Sequence, residues 1–548
     1  MKSLGFLILC ATLLCPVISF PQNCYDTILQ SRDFKFKVQV PKVEVGWYQE
    51  WMDYTGGQKI LPDSLPRQNK LTYQYFKAGF SGAMHEDIRS TDVSNLKGPL
   101  PFNAKAQYFH VLQKGSDFSG MCPAFEFVND STFVTLSFGR ATTTLVLLKV
   151  TDTITLLDAL DIPGRGNKVW EMIGKKGRDK IFHNTAGGAY SYLSGHDRLY
   201  IPGANNTILR IKILNDRFDE ENIKTFDVKD QVGAGNYFDE TMNEKESMNV
   251  LTALMPDLDG NIWFTSRHGI VGLLHRSEIS GDSCMRVYAT YIGVMAGVEK
   301  IKSDYREELA YAGGLENFRS INDLTQESLQ KFKDYFMSDP DTREEIQNSF
   351  SVGMDGVFIV TNYALYKLRF NEENQIIELD PEWQDNFRNG ELIYENDHQV
   401  KPGQLNNGSG TTPTLVDTRF VAICDNDTSR VNLCIFDRKT GDLVFKYKLF
   451  DERGAAVENS VVAYENSLIV GNTYGYLDPF KPNPTAGGIM RFDYNEIRKT
   501  FERVENWPAA GQFDIKSATP KLSTPNGLVY IYNRADEPVN DHFDWQVT

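Results

Sequence analysis

Short runs in which apolar and polar residues alternate, each broken by a turn of Asp, Asn or Gly, recur from about residue 120 to the end of the chain. The clearest are NVLTALMPDLDGNIWFTS at 249–266, NSFSVGMDGVFIVTN at 348–362, ENSVVAYENSLIVGN at 458–472 and SATPKLSTPNGLVYIYN at 517–533. Looser copies are CPAFEFVNDSTFVTLS from 122, AYSYLSGHDRLYIPG from 189 and TTPTLVDTRFVAICD from 411. A two-residue period predicts half-buried strands, and the turn residues between them predict hairpins.

One such hairpin cannot bury its apolar face, but a ring of them can. Most copies start about 45 to 70 residues apart, the length of four short strands and their turns. The pattern therefore predicts an all-β fold: a β-propeller of seven or eight four-stranded blades, with residues 21–548 forming one domain. Seven copies are visible. An eighth blade would come from residues 40–115 or from closure between the two ends, where 544–548 reads as a further strand. The interval between the copies at 249 and 348 is too long for one blade. Its excess, 296–347, contains Thr325, Glu327 and Ser328 as a helix start, then Leu329, Phe332, Tyr335 and Phe336 as a helical stripe. This predicts a helical insertion on the rim. The polar stretch containing HEDIRSTD at 85–92 reads as a surface or channel-mouth loop.

The first twenty residues, MKSLGFLILCATLLCPVISF, read as a signal peptide. The apolar run is too short for a membrane helix, and no later stretch reaches the required length of about twenty residues. A soluble, secreted protein is expected, with no membrane insertion. The net charge of −16 has acids and bases mixed along the chain. That argues against a nucleic-acid partner, because nothing would neutralise a row of phosphates.

Five cysteines follow the signal: Cys24, Cys122, Cys284, Cys424 and Cys434. Cys424 and Cys434 flank a polar turn and are expected to form a disulfide across one hairpin. A Cys24–Cys122 bridge would tie down the N-terminal segment, leaving Cys284 over. The absence of any C-x-x-C pair argues against a cysteine zinc site. Four sequons at Asn129, Asn205, Asn407 and Asn426 sit in turn contexts, as in a glycoprotein with exposed loops.

In a propeller, loops from every blade converge at the mouth of a central channel. The openings of the inner strands supply Asn184, Asn249, Asn348, Thr411, Glu458 and Asn459. Amide oxygens from several blades, with a carboxylate, would suit Ca2+. The competing reading has each Asn cap a turn or tie neighbouring blades. Histidines number only eight, and His85, His183 and His268 lie in loops. Such imidazoles would act as general bases or bind a transition metal, with Glu86 or Asp87 as orienting carboxylates. His85 and His183 are the catalytic candidates. The metal candidates are Asn184, Asn249, Asn348, Glu458 and Asn459. No nucleophile elbow or phosphate loop is present: GSGTTP at 408–413 and GRGNK at 164–168 lack the required context.

The blade segments DLDGNIWF, MDGVFIVT and CIFDRKTGDLVFKYKL, above all FDRKTGDLV at 436–444, resemble secreted propellers of the quinoprotein-like superfamily and its calcium-bearing regucalcin-like relatives. The resemblance covers about 120–548 at the level of fold. It implies a site at the channel mouth with Ca2+ or another metal. The seven Trp are unevenly placed, which argues against bound pyrroloquinoline quinone. Two functions stay open. One is a secreted propeller that binds a small molecule or glycan at the channel mouth without catalysis. The other is a metal-dependent secreted hydrolase, lactonase-like enzyme or isomerase acting on a small molecule.

Overall fold

The computed structural model describes residues 72–77 apart from 74, residues 85–94, and most of 125–547. Outside the described residues lie everything before 72, 78–84, 95–124, a few short turns, and the stretches 167–190, 234–248, 277–284, 296–342, 384–408, 476–485, 508–519 and 535–544.

Six antiparallel sheets and a seventh, smaller unit follow one another along the chain. Blade 1 comprises Phe125–Phe127, Thr132–Phe138, Thr142–Val150 and Ile154–Gly166. Blade 2 runs Tyr192–Leu193, Arg198–Pro202, Thr207–Leu214 and Lys224–Asp227, with Arg217–Phe218 as a short extra strand. Blades 3 and 4 are Leu251–Pro256, Ile262–Ser266, Ile270–Arg276 and Met285–Tyr291, then Ser351–Gly353, Gly356–Val360, Leu365–Asn371 and Ile376–Leu379. Blades 5 and 6 are Thr414–Val416, Phe420–Cys424, Asn432–Asp437 and Leu443–Lys448, then Val462–Tyr464, Ser467–Gly471, Ile489–Asn495 and Thr500–Arg503. Blade 7 is formed by Lys521–Ser523 and Leu528–Tyr530, with Val93–Ser94 pairing in parallel on Lys521–Ser523, followed by a hairpin of Tyr532–Arg534 and Trp545–Val547. Each blade packs on the next, from the first to the seventh. The chain is a seven-bladed propeller, and the strand read at its end, Trp545–Val547, pairs antiparallel with Tyr532–Arg534.

The strand pattern explains the packing. Inner and second strands are buried on both faces because a neighbouring blade covers each face: all six residues of Leu251–Pro256 and all five of Ile262–Ser266 are buried. Outer strands alternate, as in Leu443–Lys448, where every second residue is exposed. The apolar cores therefore lie between blades. Ile211 and Leu147 join blades 1 and 2, Ile423 and Phe358 join blades 4 and 5, and Ile435 and Phe492 join blades 5 and 6. Trp383 leaves blade 4 and docks on the FDRKTGD turn of blade 5. Its indole Nε1 donates to the Arg438 carbonyl at 3.0 Å, and its ring lies against Gly441, whose φ of +79° closes that turn.

Register overturns the expected disulfide. The hairpin pairs Cys424 with Leu433 and Ile423 with Cys434. The two cysteines are one position out of register, so their side chains leave opposite faces of the sheet. Cys424 packs between blades 5 and 6, Cys434 between blades 4 and 5, and no disulfide joins them. Cys24, Cys122 and Cys284 lie outside the described residues, as does the signal segment. Of the helical insertion, 296–342 lies outside them too, and 343–350 enters blade 4 without helix. Among the described residues the α-helix is the single turn Lys229–Val232, and no helix is long and apolar enough to cross a membrane. Of the sequons, Asn129 and Asn205 are exposed at turns, while Asn407 and Asn426 lie outside the described residues.

Candidate axial site

The segment 85–94 is a buried strap. It crosses the inner strands of four successive blades, and each of those strands gives it one backbone hydrogen bond. The Ile88 carbonyl accepts from Val352 N of blade 4 at 2.6 Å, and that of Arg89 from Leu415 N of blade 5 at 2.9 Å. The Thr91 carbonyl accepts from Ala463 N of blade 6 at 3.0 Å, and that of Asp92 from Leu522 N of blade 7 at 3.0 Å. Val93–Ser94 then pairs in parallel with Lys521–Ser523. The stretch is thus no exposed surface loop but lies buried against the inner strands, which satisfy the carbonyls that burial would otherwise orphan.

To make these contacts the strap bends sharply. His85, Glu86, Ser90 and Asp92 all have positive φ, between 56° and 65°. Non-glycine residues rarely adopt this region, and each costs about 1 kcal/mol or more. Asp87 holds the bend. Its Oδ1 accepts from Arg89 N at 3.0 Å and Thr91 N at 3.1 Å, and its Oδ2 from the Thr91 hydroxyl at 3.0 Å.

The side chains form a compact ionic cluster. His85 Nδ1 lies 3.2 Å from Asp92 Oδ1, and Nε2 lies 3.0 Å from the Thr412 hydroxyl and 3.5 Å from that of Ser460. Lys521 Nζ donates to Asp92 Oδ1 at 2.6 Å and stands 3.8 Å from Glu86 Oε1. Burial alone would push the Asp92 carboxyl up, but Lys521 and then His85 outweigh it and hold it below its usual value. Lys521 is itself held above the usual lysine value: Asp92 and Glu86 overcome its burial. Glu86 goes the other way. Burial dominates, Lys521 pulls against it, Asp92 and Asp87 add repulsion, and the carboxyl is pushed up to about 8. Neither Glu86 oxygen has a well-formed hydrogen bond among the described residues; Ser94 is the hydroxyl that faces it.

Ionised Asp92 accepts only, so His85 donates from Nδ1, and in the neutral ring Nε2 is then the acceptor. The Thr412–His85–Asp92 line is therefore a hydroxyl–imidazole–carboxylate relay, with Ser460 as a second hydroxyl. Thr412 and Ser460 stand two residues before the inner strands of blades 5 and 6. His85 thus lies at the end of the ring where connections from one blade's outer strand enter the next blade's inner strand.

The expected metal binding is corrected here. Among the described residues no three His, Cys, Asp or Glu side chains are grouped to hold a metal ion. The physical reason is Lys521, whose ammonium supplies the positive charge that these carboxylates face. The asparagines are engaged with backbone. Asn249 Nδ2 donates to the Val232 carbonyl at 2.6 Å, and its Oδ1 accepts from His268 N at 2.9 Å. Asn348 Nδ2 donates to the Ser409 carbonyl at 3.4 Å. Glu458 is half-buried, and its carboxylate stands where a Cβ on Gly410 would lie. Thr411 is buried, and its hydroxyl accepts from Cys424 N at 2.9 Å. His183, Asn184 and Asn459 lie outside the described residues. Asp92, Thr412, Ser460 and Lys521 escape the sequence reading. Asp92 alone carried a signal, as the third acid of a charge-dense run with His85.

No family model matches the chain, and no curated protein matches it in sequence. The likeness to solved structures is low. A candidate 6-phosphogluconolactonase of Bacteroides uniformis is 8% identical at a TM-score of 0.35, covering 68% of this chain and 81% of that one. A Lactobacillus plantarum protein is 9% identical at 0.36, covering 73% and 88%. The WD40 domain of Toxoplasma gondii coronin is 11% identical at 0.32, covering 72% of each. At these identities and TM-scores the likeness carries no argument, and the seven blades stand on their own sheets.

Proposed function

We propose that this chain is a secreted propeller that binds a small polar molecule or the end of a glycan at the axial mouth beside His85. The observation that supports this reading most is the strap itself. Four left-handed residues and five ionisable side chains are buried together, and strain of this kind clusters at ligand sites. Thr412, Ser460 and His85 supply hydroxyl and imidazole groups, the chemistry that recognises sugar hydroxyls. The signal-like first twenty residues support export.

The hydroxyl–imidazole–carboxylate line favours a second reading, in which His85 is a general base for hydrolysis or isomerisation of the same molecule. No metal enters it. A thermal-shift screen of neutral sugars, uronic acids and sugar lactones tests both. A ligand should raise the melting temperature of the wild type and lose its effect in His85→Gln. An equal shift in the variant, or no shift from the whole panel, overturns the binding reading. Turnover of a lactone that His85→Gln abolishes decides for the second.

A further inference from the structure

Two hydroxyls, an imidazole and a carboxylate meet in the axial cluster from three separate parts of the chain. Thr412 enters blade 5, Ser460 enters blade 6, and His85 and Asp92 lie on the strap. Their order is that of an activated nucleophile. Asp92, without solvent exposure, lies 3.2 Å from His85 Nδ1. In the neutral ring this leaves Nε2 as acceptor, 3.0 Å from the Thr412 hydroxyl. That is within the range of about 2.6–3.2 Å over which a base takes a nucleophile's proton.

Backbone contacts fix this arrangement. Leu415 N donates to the Arg89 carbonyl at 2.9 Å, tying the chain just beyond Thr412 to the strap just beyond His85. Pro413 restricts the backbone of Thr412 to extended conformations, and the Ser351 hydroxyl donates to the Pro413 carbonyl. The two hydroxyls differ in role. Nε2 has one lone pair, and Thr412 takes it; Ser460 at 3.5 Å is too distant to compete well. The Ser460 hydroxyl thus faces the same edge of the imidazole with its proton free for another acceptor.

Glycoside cleavage fits this cluster poorly, because it needs two carboxyl groups flanking the bond. Asp92 stands behind the imidazole and is held by Lys521 at 2.6 Å, and Glu86 is fully buried 3.8 Å from the same ammonium. A hydroxyl beside an imidazole base is the chemistry of acyl transfer. Thr412 and Ser460 are each 2% exposed, so the acyl group that reaches them is short. Upstream on the same two entries, the half-buried Glu458 places its carboxylate against Gly410, where it can accept from the hydroxyls of a polar alcohol.

We propose that Thr412 is a nucleophile that takes a short acyl group, such as acetyl, from an ester of a polar alcohol. The proposal rests on the reading of His85 as a general base. Thr412 Oγ1 attacks the ester carbonyl carbon while its proton passes to His85 Nε2, and Ser460 donates to the oxygen that becomes negative. The C–O bond to the alcohol then breaks, and the imidazolium gives its proton to the leaving oxygen. Water attacks the acyl-threonine, losing a proton to His85, which returns it to Thr412 Oγ1 as the carboxylic acid leaves. Ester and water give acid and alcohol. Asp92 acts as a positioning residue, holding the ring with Nε2 toward Thr412.

The test uses the full-length protein with p-nitrophenyl acetate as substrate and methanesulfonyl fluoride as trap. The trap sulfonylates an activated hydroxyl and releases fluoride. The wild type should hydrolyse the ester, lose activity to the trap and carry one methanesulfonyl group, on the peptide containing Thr412. Thr412→Val should lower kcat/KM by about a thousandfold or more and take up no trap. Thr412→Ser should keep turnover and be labelled at 412, which separates lost chemistry from lost folding. Ser460→Ala should lower kcat by about a hundredfold while Thr412 is still labelled. Turnover that His85→Gln abolishes and Thr412→Val retains would leave His85 acting on water directly and overturn the nucleophile alone. Labelling confined to another residue would do the same. Absence of both His85-dependent turnover and the trap adduct overturns the proposal together with the general-base reading.

Discussion

Lys521 and Asp92, 429 positions apart in the chain, meet at 2.6 Å in the interior, both essentially without solvent exposure. The pair ties the strap near the start of the described chain to the seventh blade, beside the parallel pairing of Leu522 with Val93. Removing one partner of a buried pair leaves the other charge uncompensated, which typically costs about 3–5 kcal/mol. Lys521→Met is therefore expected to lower unfolding stability by about that amount in urea titrations. The double variant Lys521→Met/Asp92→Asn should lose less than the two single losses combined. Additive losses would show that the two groups act independently.

Glu86 makes stability depend on pH in a definite direction. Its carboxyl holds its proton up to about 8 in the fold, against an ordinary value of 4.5. Between those values the native state binds more protons than the unfolded chain, so stability falls as pH rises from about 4.5 to about 8. Asp92 is shifted the other way and affects only the region at and below its ordinary 3.8. Lys521, raised above 10.5, acts only at alkaline pH. Denaturation at a series of pH values should show a decline on the order of a few kcal/mol across the Glu86 window. Glu86→Gln should flatten it. A decline of the same size in the variant would assign the effect to another group.

Cys424 and Cys434 should both behave as inert thiols. Burial and then the neighbouring Asp425 push the Cys434 thiol well above its usual value, which suppresses the thiolate that reacts. Native protein should resist iodoacetamide at both positions, and protein unfolded in guanidinium should be labelled at both. Non-reducing peptide mapping that linked the 424 and 434 peptides would contradict the register.

The blades were legible because each hairpin carries its own alternation, and the core between blades follows from which parity faces which neighbour. The disulfide expectation failed on that same parity. Proximity along a hairpin is visible in the sequence, whereas a one-residue offset in register is visible only once the strands are paired. The strap was legible only as a charged run. Its burial depends on amides of Val352, Leu415, Ala463 and Leu522, which no local pattern connects to residues 88–92. Lys521 reads locally as the polar start of a strand. Its role as the cation of the axial cluster exists only after blade 7 has closed on Val93. The metal expectation rested on asparagines at the inner-strand openings, and Asn249 and Asn348 turn out to hold backbone groups of neighbouring segments.

Trp383 offers a test of how adjacent blades are held together. The indole is buried, meets Phe358 edge to face at 5.7 Å, and donates to the Arg438 carbonyl. Arg438 in turn donates to the Asp417 carbonyl at 2.7 Å and packs over Phe358 at 5.4 Å. Blades 4 and 5 thus share one small network around a single aromatic ring. Trp383→Phe keeps an aromatic ring but removes the donor, leaving a buried carbonyl unpaired and a gap where the second ring was. Each is a recognised source of loss, and together they should cost about 2–4 kcal/mol. The urea midpoint should fall with the slope unchanged, since the surface exposed on unfolding stays the same. Gly441→Ala strikes the other side of the contact, because its φ of +79° strains any other residue and its new methyl would press on the indole at 3.0 Å. If the two act through one interface, the double variant should lose clearly less than the sum of the single losses. Strict additivity would mean that the turn and the tryptophan stabilise their blades separately.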